Sequence, residues 1–153
     1  MKTLALAILL LAASSSAVAQ NELPLYVRNA LARIETAFRA GSPESIDDLL
    51  GSPMTIRLGD SLYYPAFGGR PLALLKNFFA DKDSIEFHFG IPGTGRMIYS
   101  VEGVRDTTIV DVFFSGSSFQ MTMYALNISN YPRPMIFMKN IHFGDPVPGG
   151  KPR

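Results

Sequence analysis

The chain contains no cysteine, no tryptophan and only two histidines. Without cysteine there is no disulfide framework, no thiol nucleophile and no cysteine-ligated zinc. The histidines, His88 and His142, lie too far apart for the short spacings of metal ligands, so no metal site is expected. No serine occupies a nucleophile elbow, and neither GxGxxG nor a phosphate-loop pattern occurs, so no cofactor is expected. An excess of charge is missing as well. The 14 Lys and Arg face 13 Asp and Glu, and a balanced chain has no footprint for nucleic acid or an anionic membrane.

Long apolar runs are confined to the first twenty residues. Lys2, the apolar run 4–13 and Ala17-Val18-Ala19 form a basic region, a hydrophobic region and a small-x-small cleavage site. The run is shorter than the roughly 20 residues a spanning helix needs. Residues 1–19 are therefore expected to be a cleaved signal peptide that sends the chain to the periplasm or outside the cell. No cysteine follows the run, so a lipoprotein is excluded, and no transmembrane segment is expected after cleavage. Residues 20–144 are expected to form one domain, large enough for a core without staples. The tail 145–153, rich in proline and glycine, is expected to be disordered.

Within the domain, residues 23–40 carry Val27, Ala30, Leu31, Ile34, Ala37 and Phe38 at three- and four-residue steps, the mark of an amphipathic helix ended by Gly41. Ser42-Pro43 starts a short second helix, with Ser42 as N-cap and Gly51 as its stop. Asp47 and Asp48 within it read as solvated residues. Residues 54–58 and 61–64 are two extended runs around Gly59-Asp60, a hairpin signal. Gly68-Gly69-Arg70-Pro71 opens a third helix, 72–80, that buries Leu72, Leu75, Phe78 and Phe79. A helix start with two glycines and an arginine can hold an anion, although a turn before an N-terminal proline explains the same residues.

From Ser84 the period changes to two. Strands are expected around Ile85, Phe87 and Phe89, then at 97–104, 108–114, 119–126 and 135–143, with turns between them. Strands without intervening helices give an antiparallel meander and an α+β class. In the last strand Met135, Phe137 and Ile141 alternate with the equally apolar Ile136 and Met138. Helices cover one face of a sheet, so the other face calls for curvature or a partner, here a homodimer through the outer sheet face.

Candidate chemistry is sparse. Asp111 interrupts the apolar strand Ile109-Val110-Asp111-Val112-Phe113, where burial would make it a general base; on an outward face it is a solvated residue or an edge guard. His88 shares its face with Glu86 and is either an acid–base group or a structural histidine. Tyr99 completes a possible catalytic set with Asp111 and His88. Arg57, Tyr64, Arg70 and Tyr124, with Tyr63, are candidates to line a ligand pocket with polar tips, though tyrosines in strands also serve cores. Asn127-Ile128-Ser129 fits a glycosylation sequon, without a signal that it is used.

The order of helix, short helix, hairpin, helix and meander resembles the nuclear-transport-factor-two-like, or SnoaL-like, cone fold. More narrowly, the chain resembles an uncharacterised family of small exported bacterial domains, chiefly of Bacteroidetes type. The resemblance spans residues 27–143. It rests on Ala40-Gly41, the Tyr64 region, Phe78-Phe79, Phe87-His88-Phe89-Gly90, residues 99–103 and the closing strand 136–143. The chain departs from that family at 65–71, longer and richer in glycine than the family's short link. The resemblance implies three N-terminal helices on a curved antiparallel sheet of four to six strands, and brings no catalytic residues. The wider fold includes isomerases, dehydratases and binding modules. Two functions follow as expectations. The first is a non-enzymatic exported module that binds a small apolar ligand or an envelope protein. The second is a cofactor-independent isomerase, dehydratase or hydrolase using Asp111 and His88 inside the cone. They part on whether those side chains converge on one cavity.

Overall fold

The computed structural model describes residues 22–82, 87–89 and 94–144. The leader and tail read from the sequence lie outside them. Helix α1 (Leu25–Ala40) buries Val27, Ala30, Leu31, Ile34, Ala37 and Phe38, the stripe expected from the spacing. It stops at Gly41, whose left-handed φ of 64° a side chain would resist. The Gly41 and Ser42 amides close the end on the carbonyls of Phe38 and Ala37.

The expected second helix is a 3₁₀ segment, Pro43–Leu49, kinked at Ile46. Ser42 gives it no side-chain cap; its hydroxyl instead donates to Glu44 Oε2 at 3.3 Å. Strand β1 (Leu50–Leu58) follows at once, so Gly51 is no helix stop. Gly51 is needed for a close approach, because a Cβ there would collide with the Met138 carbonyl. Pro53 hid the first half of this strand, since proline cannot donate to a ladder. The register is irregular on both sides of it, between Met54 and Ile56 towards the strand that follows and between Leu50 and Thr55 towards the last strand of the sheet. The Gly59-Asp60 turn leads into strand β2 (Ser61–Ala66), antiparallel to β1 as the hairpin signal implied.

Helix α2 (Arg70–Ala80) buries Pro71, Leu75 and Phe79 and half-buries Phe78. Leu72, expected on its buried side, is only half-buried. Strands β3 (Gly95–Val104), β4 (Thr107–Gly116), β5 (Phe119–Ile128) and β6 (Met135–Phe143) form the antiparallel meander. The strand expected over 84–90 is not present at residues 87–89, which have no ladder partner; residues 84–86 and 90 lie outside the described residues. Phe87 and Phe89 alternate with His88 because both rings enter the core, not because they belong to the sheet.

The sheet order is β2-β1-β6-β5-β4-β3. It is mixed rather than purely antiparallel, because β1 lies parallel to β6. Among the described residues the fold is thus α+β, with two α-helices and a 3₁₀ segment on a six-stranded sheet. On the inner face, Met54, Ile56, Val110, Val112, Phe114, Phe119, Met121, Met123, Ala125, Met138, Ile141 and Phe143 join the helix residues in one buried cluster. Phe38 stands at its centre, with ring centroids 5.4–5.6 Å from those of Phe79, Phe87, Phe119 and Phe143.

Strand β6 changes phase within its length. Met123 pairs with Met138 and Thr122 with Asn140, so two steps along β6 match one along β5, and Lys139 is the extra residue of a bulge. Met135 and Phe137 consequently face outward while Ile141 turns inward with Ile136 and Met138. This corrects the expectation that Ile141 shares a face with Met135 and Phe137.

The close contact at Gly51 gives a test. Gly51→Ala is expected to lower stability by about 1–3 kcal/mol through overpacking against backbone that cannot yield. Gly103→Ala, with open space around its site, is the control and should leave the urea midpoint almost unchanged.

Candidate functional site

Alternation along the meander sorts the candidate residues between two faces. Asp111 pairs with Ser100 on one side and Tyr124 on the other, and Tyr124 pairs with Phe137. This row belongs to the face away from the helices. Tyr99, opposite Val112, belongs to the inner face, where its hydroxyl donates to Glu22 Oε2 at 2.7 Å. That bond raises the Tyr99 pKa, because a phenolate there would face a carboxylate.

His88 lies under helix α1. Its Nδ1 is 2.9 Å from Glu35 Oε1, while Glu35 Oε2 accepts the Phe89 amide at 3.1 Å. One carboxylate therefore clasps the segment 87–89 by side chain and backbone together. The carbonyl of His88 accepts a further bond from Thr94 Oγ1 at 2.9 Å. The structure does not bring Asp111, His88 and Tyr99 together.

The outer face carries a shallow groove of about 540 Å³. Ile98, Ser100, Phe113, Thr122, Lys139 and Asn140 line it with the candidate Asp111, and Val112 and the candidate Tyr99 border it as well. The bulge places Lys139 where its ammonium lies 4.5 Å from the Tyr124 ring centroid and 3.4 Å from Asp111 Oδ1. Lysine on β6 thus crosses the tyrosine of β5 to reach the aspartate of β4. Both charged side chains are nearly half exposed, so the pair contributes at most about 1 kcal/mol to stability. It sets two opposite charges beside the apolar surfaces of Ile98 and Phe113.

The other candidates lie elsewhere. Arg57 on β1 is the register partner of His142 on β6. Arg70 sits over the Tyr63 ring at 5.9 Å, at the start of α2. Tyr64 is 69% exposed on β2, at the sheet edge remote from the groove. Asp47 is exposed, and Asp48 forms a two-pronged pair with Arg33 of α1 at 2.6 and 3.0 Å. Arg33 also donates to the Ser45 carbonyl at 2.8 Å. The hydrogen bonds to Arg33 hold the Asp48 carboxyl below its ordinary value, so Asp48 ties the 3₁₀ segment to α1.

Sequence reasoning singled out Asp111 and Tyr124 but missed Lys139 and Glu35. A signal for Lys139 was present: it interrupts the apolar run of β6 as Asp111 interrupts that of β4, with the opposite charge. Among the described residues no cluster of His, Asp and Glu could hold a metal ion, and no helix is long and apolar enough to cross a membrane.

No protein-family model matches the sequence. No curated protein matches it either. Solved structures similar to it include a DUF4783 family protein from Bacteroides ovatus, at a TM-score of 0.40 and 14% identity over 82% of this chain and 97% of that one. An NTF2-like protein of unknown function from Shewanella baltica is similar at a TM-score of 0.35 and 13% identity, covering 74% of this chain and 85% of that one. A protein described as Rd1NTF2_04 with long sheet is similar at 0.34 and 10% identity, covering 76% and 98%.

His142 supplies a pH dependence. It is 8% exposed, and burial followed by the Arg57 charge keeps its pKa below the ordinary 6.5. In the window below 6.5 the unfolded imidazole takes up a proton that the folded one refuses. The contribution of His142 to stability is therefore complete above 6.5 and is lost as pH falls through the folded value. Urea unfolding at pH 7 and pH 5 should show a lower midpoint at pH 5, and His142→Gln should remove that part of the loss.

Proposed function

We propose that the chain is an exported, non-catalytic binding domain with a nuclear-transport-factor-two-like cone. It takes a small, largely apolar ligand with a charged or polar end into the outer-face groove. The observation that carries this reading is the Asp111–Lys139 pair held over Tyr124, next to Ile98 and Phe113. Apolar walls with a few convergent polar groups are the usual make-up of a small-molecule site. An acid–base enzyme needs its proton-transfer groups around one reacting atom. Asp111, His88 and Tyr99 instead have separate partners: Lys139, Glu35 and Glu22. The space beneath the helices, where the catalytic reading would put a substrate, holds the rings of Phe38, Phe87, Phe114, Phe119 and Phe143.

The fluorescent probe anilinonaphthalene sulfonate tests this reading, with rings for the apolar wall and a sulfonate for Lys139. Saturable binding to one site is expected. Lys139→Glu should weaken it roughly tenfold, the worth of a charge-assisted contact, and Phe113→Ala should weaken it as well. Lys82→Glu, outside the groove, is the control. Binding that is absent, or indifferent to both groove substitutions, would remove the groove as the ligand site.

A further inference from the structure

Strand β3 is an edge of the sheet, with β4 on one side and, among the described residues, no strand on the other. All ten of its residues pair with β4 in unbroken register, from Gly95 with Gly116 to Val104 with Thr107. Its free side is therefore a regular row of amide and carbonyl groups. Sheets ordinarily blunt such an edge with proline, a bulge or lysine. Strand β3 has no proline, bulge or lysine, its only charges are Arg96 and Glu102, and all its residues except Met97 and Tyr99 are exposed. Ile98, Val101 and Val104 are 49%, 45% and 54% exposed. The other edge, β2, is a strand of six residues that contains Pro65.

The charges on β3 are placed symmetrically. Arg96 precedes Tyr99 by as many residues as Glu102 follows it, and both belong to the outer face, with Ile98 and Ser100 between them. We propose that β3 pairs antiparallel with β3 of a second copy, about a two-fold axis running between the two Tyr99 residues. In this register each Arg96 lies directly opposite Glu102 of the other copy. Ile98 meets Ser100, and Met97 meets Val101. Opposite charges directly across a ladder attract and like charges repel. Shifting the axis by one residue along the strand while keeping the helices of both copies on one side breaks the two ion pairs. Charge thus selects the register, and an isologous contact of this kind closes at two copies.

Pairing at this edge also completes the groove described above. Ile98 and Ser100 line it on the β3 side. The second copy brings its own Ile98 alongside Ser100, so that the two grooves become neighbours on one extended outer face. The dimer rests on the sheet edge alone and stands whether or not the groove takes a ligand.

Sedimentation velocity on the purified chain over a concentration series tests the pairing by charge reversal. A dimer is expected. Arg96→Glu alone and Glu102→Arg alone should each weaken it by roughly tenfold or more, because two attractive pairs become repulsive, and the double reversal should restore it. A second measurement uses the absence of cysteine from the chain. Mixing an Arg96→Cys chain with a Glu102→Cys chain under mild oxidation should give a disulfide-linked heterodimer, since opposed residues lie within disulfide reach. Neither chain alone should cross-link to the same extent. A monomer at every concentration, or a dimer indifferent to the charge reversals, would overturn the proposal.

Discussion

Phe38 is the contact on which the two layers of the molecule depend. Its ring meets Phe79 of α2, Phe87 of the 87–89 segment, Phe119 at the start of β5 and Phe143 at the end of β6. Most of these pairs are edge-on, the arrangement in which the positive edge of one ring meets the negative face of another. Removing a buried phenylalanine from a core costs about 3–5 kcal/mol, a large share of the roughly 5–15 kcal/mol that holds a domain folded. The same helix reaches other parts with other faces. Glu35, one turn before Phe38, clasps His88 and Phe89 from its flank, and Arg33 grips Asp48 from its exposed side. Three side chains within six residues of α1 thus position the 3₁₀ segment, the 87–89 segment and the core.

The groove and the core are linked through the bulge in β6. With unbroken alternation beyond Met138, Asn140 would face the helices and Ile141 and Phe143 would face away from them. The extra residue at Lys139 reverses this, so that Phe143 reaches Phe38 and Asn140 lines the groove. Lys139 itself projects across Tyr124 towards Asp111. One inserted residue therefore serves both faces of the sheet, giving the inner face an aromatic ring and the outer face a cation.

Much of this was legible in the sequence because the relevant forces are local. The stripe of α1 and its glycine stop, the Gly59-Asp60 turn and the four meander strands all follow from periodicity and turn chemistry. What was not legible depends on partners distant in sequence. Gly51 looked like a helix stop and Ser52-Pro53 like a gap, because the irregular register that accommodates Pro53 is visible only once β2 and β6 flank β1. Phe87-His88-Phe89 had the alternation of a strand, yet that pattern also suits an irregular segment that buries two rings and offers the residue between them to Glu35. For Asp111, alternation left open which face the helices cover, and only the register of β3 on β4 sets Tyr99 on the opposite face. The phase change in β6 left no mark in its composition beyond a lysine among apolar neighbours.

The parallel pairing of β1 with β6 has a consequence for how the chain acquires its shape. The β1–β2 hairpin and the β3–β4–β5 meander join neighbours in sequence, and such local contacts form quickly. The sheet becomes continuous only when β6 enters between β1 and β5, bringing Ile141 alongside Ile56. That step closes a long loop, and its entropic cost falls due before the contacts that reward it are made. The last strand of the meander is thus the keystone of the sheet. Within the sheet the hairpin and the meander are joined only through it, and seating it also brings Phe143 to Phe38.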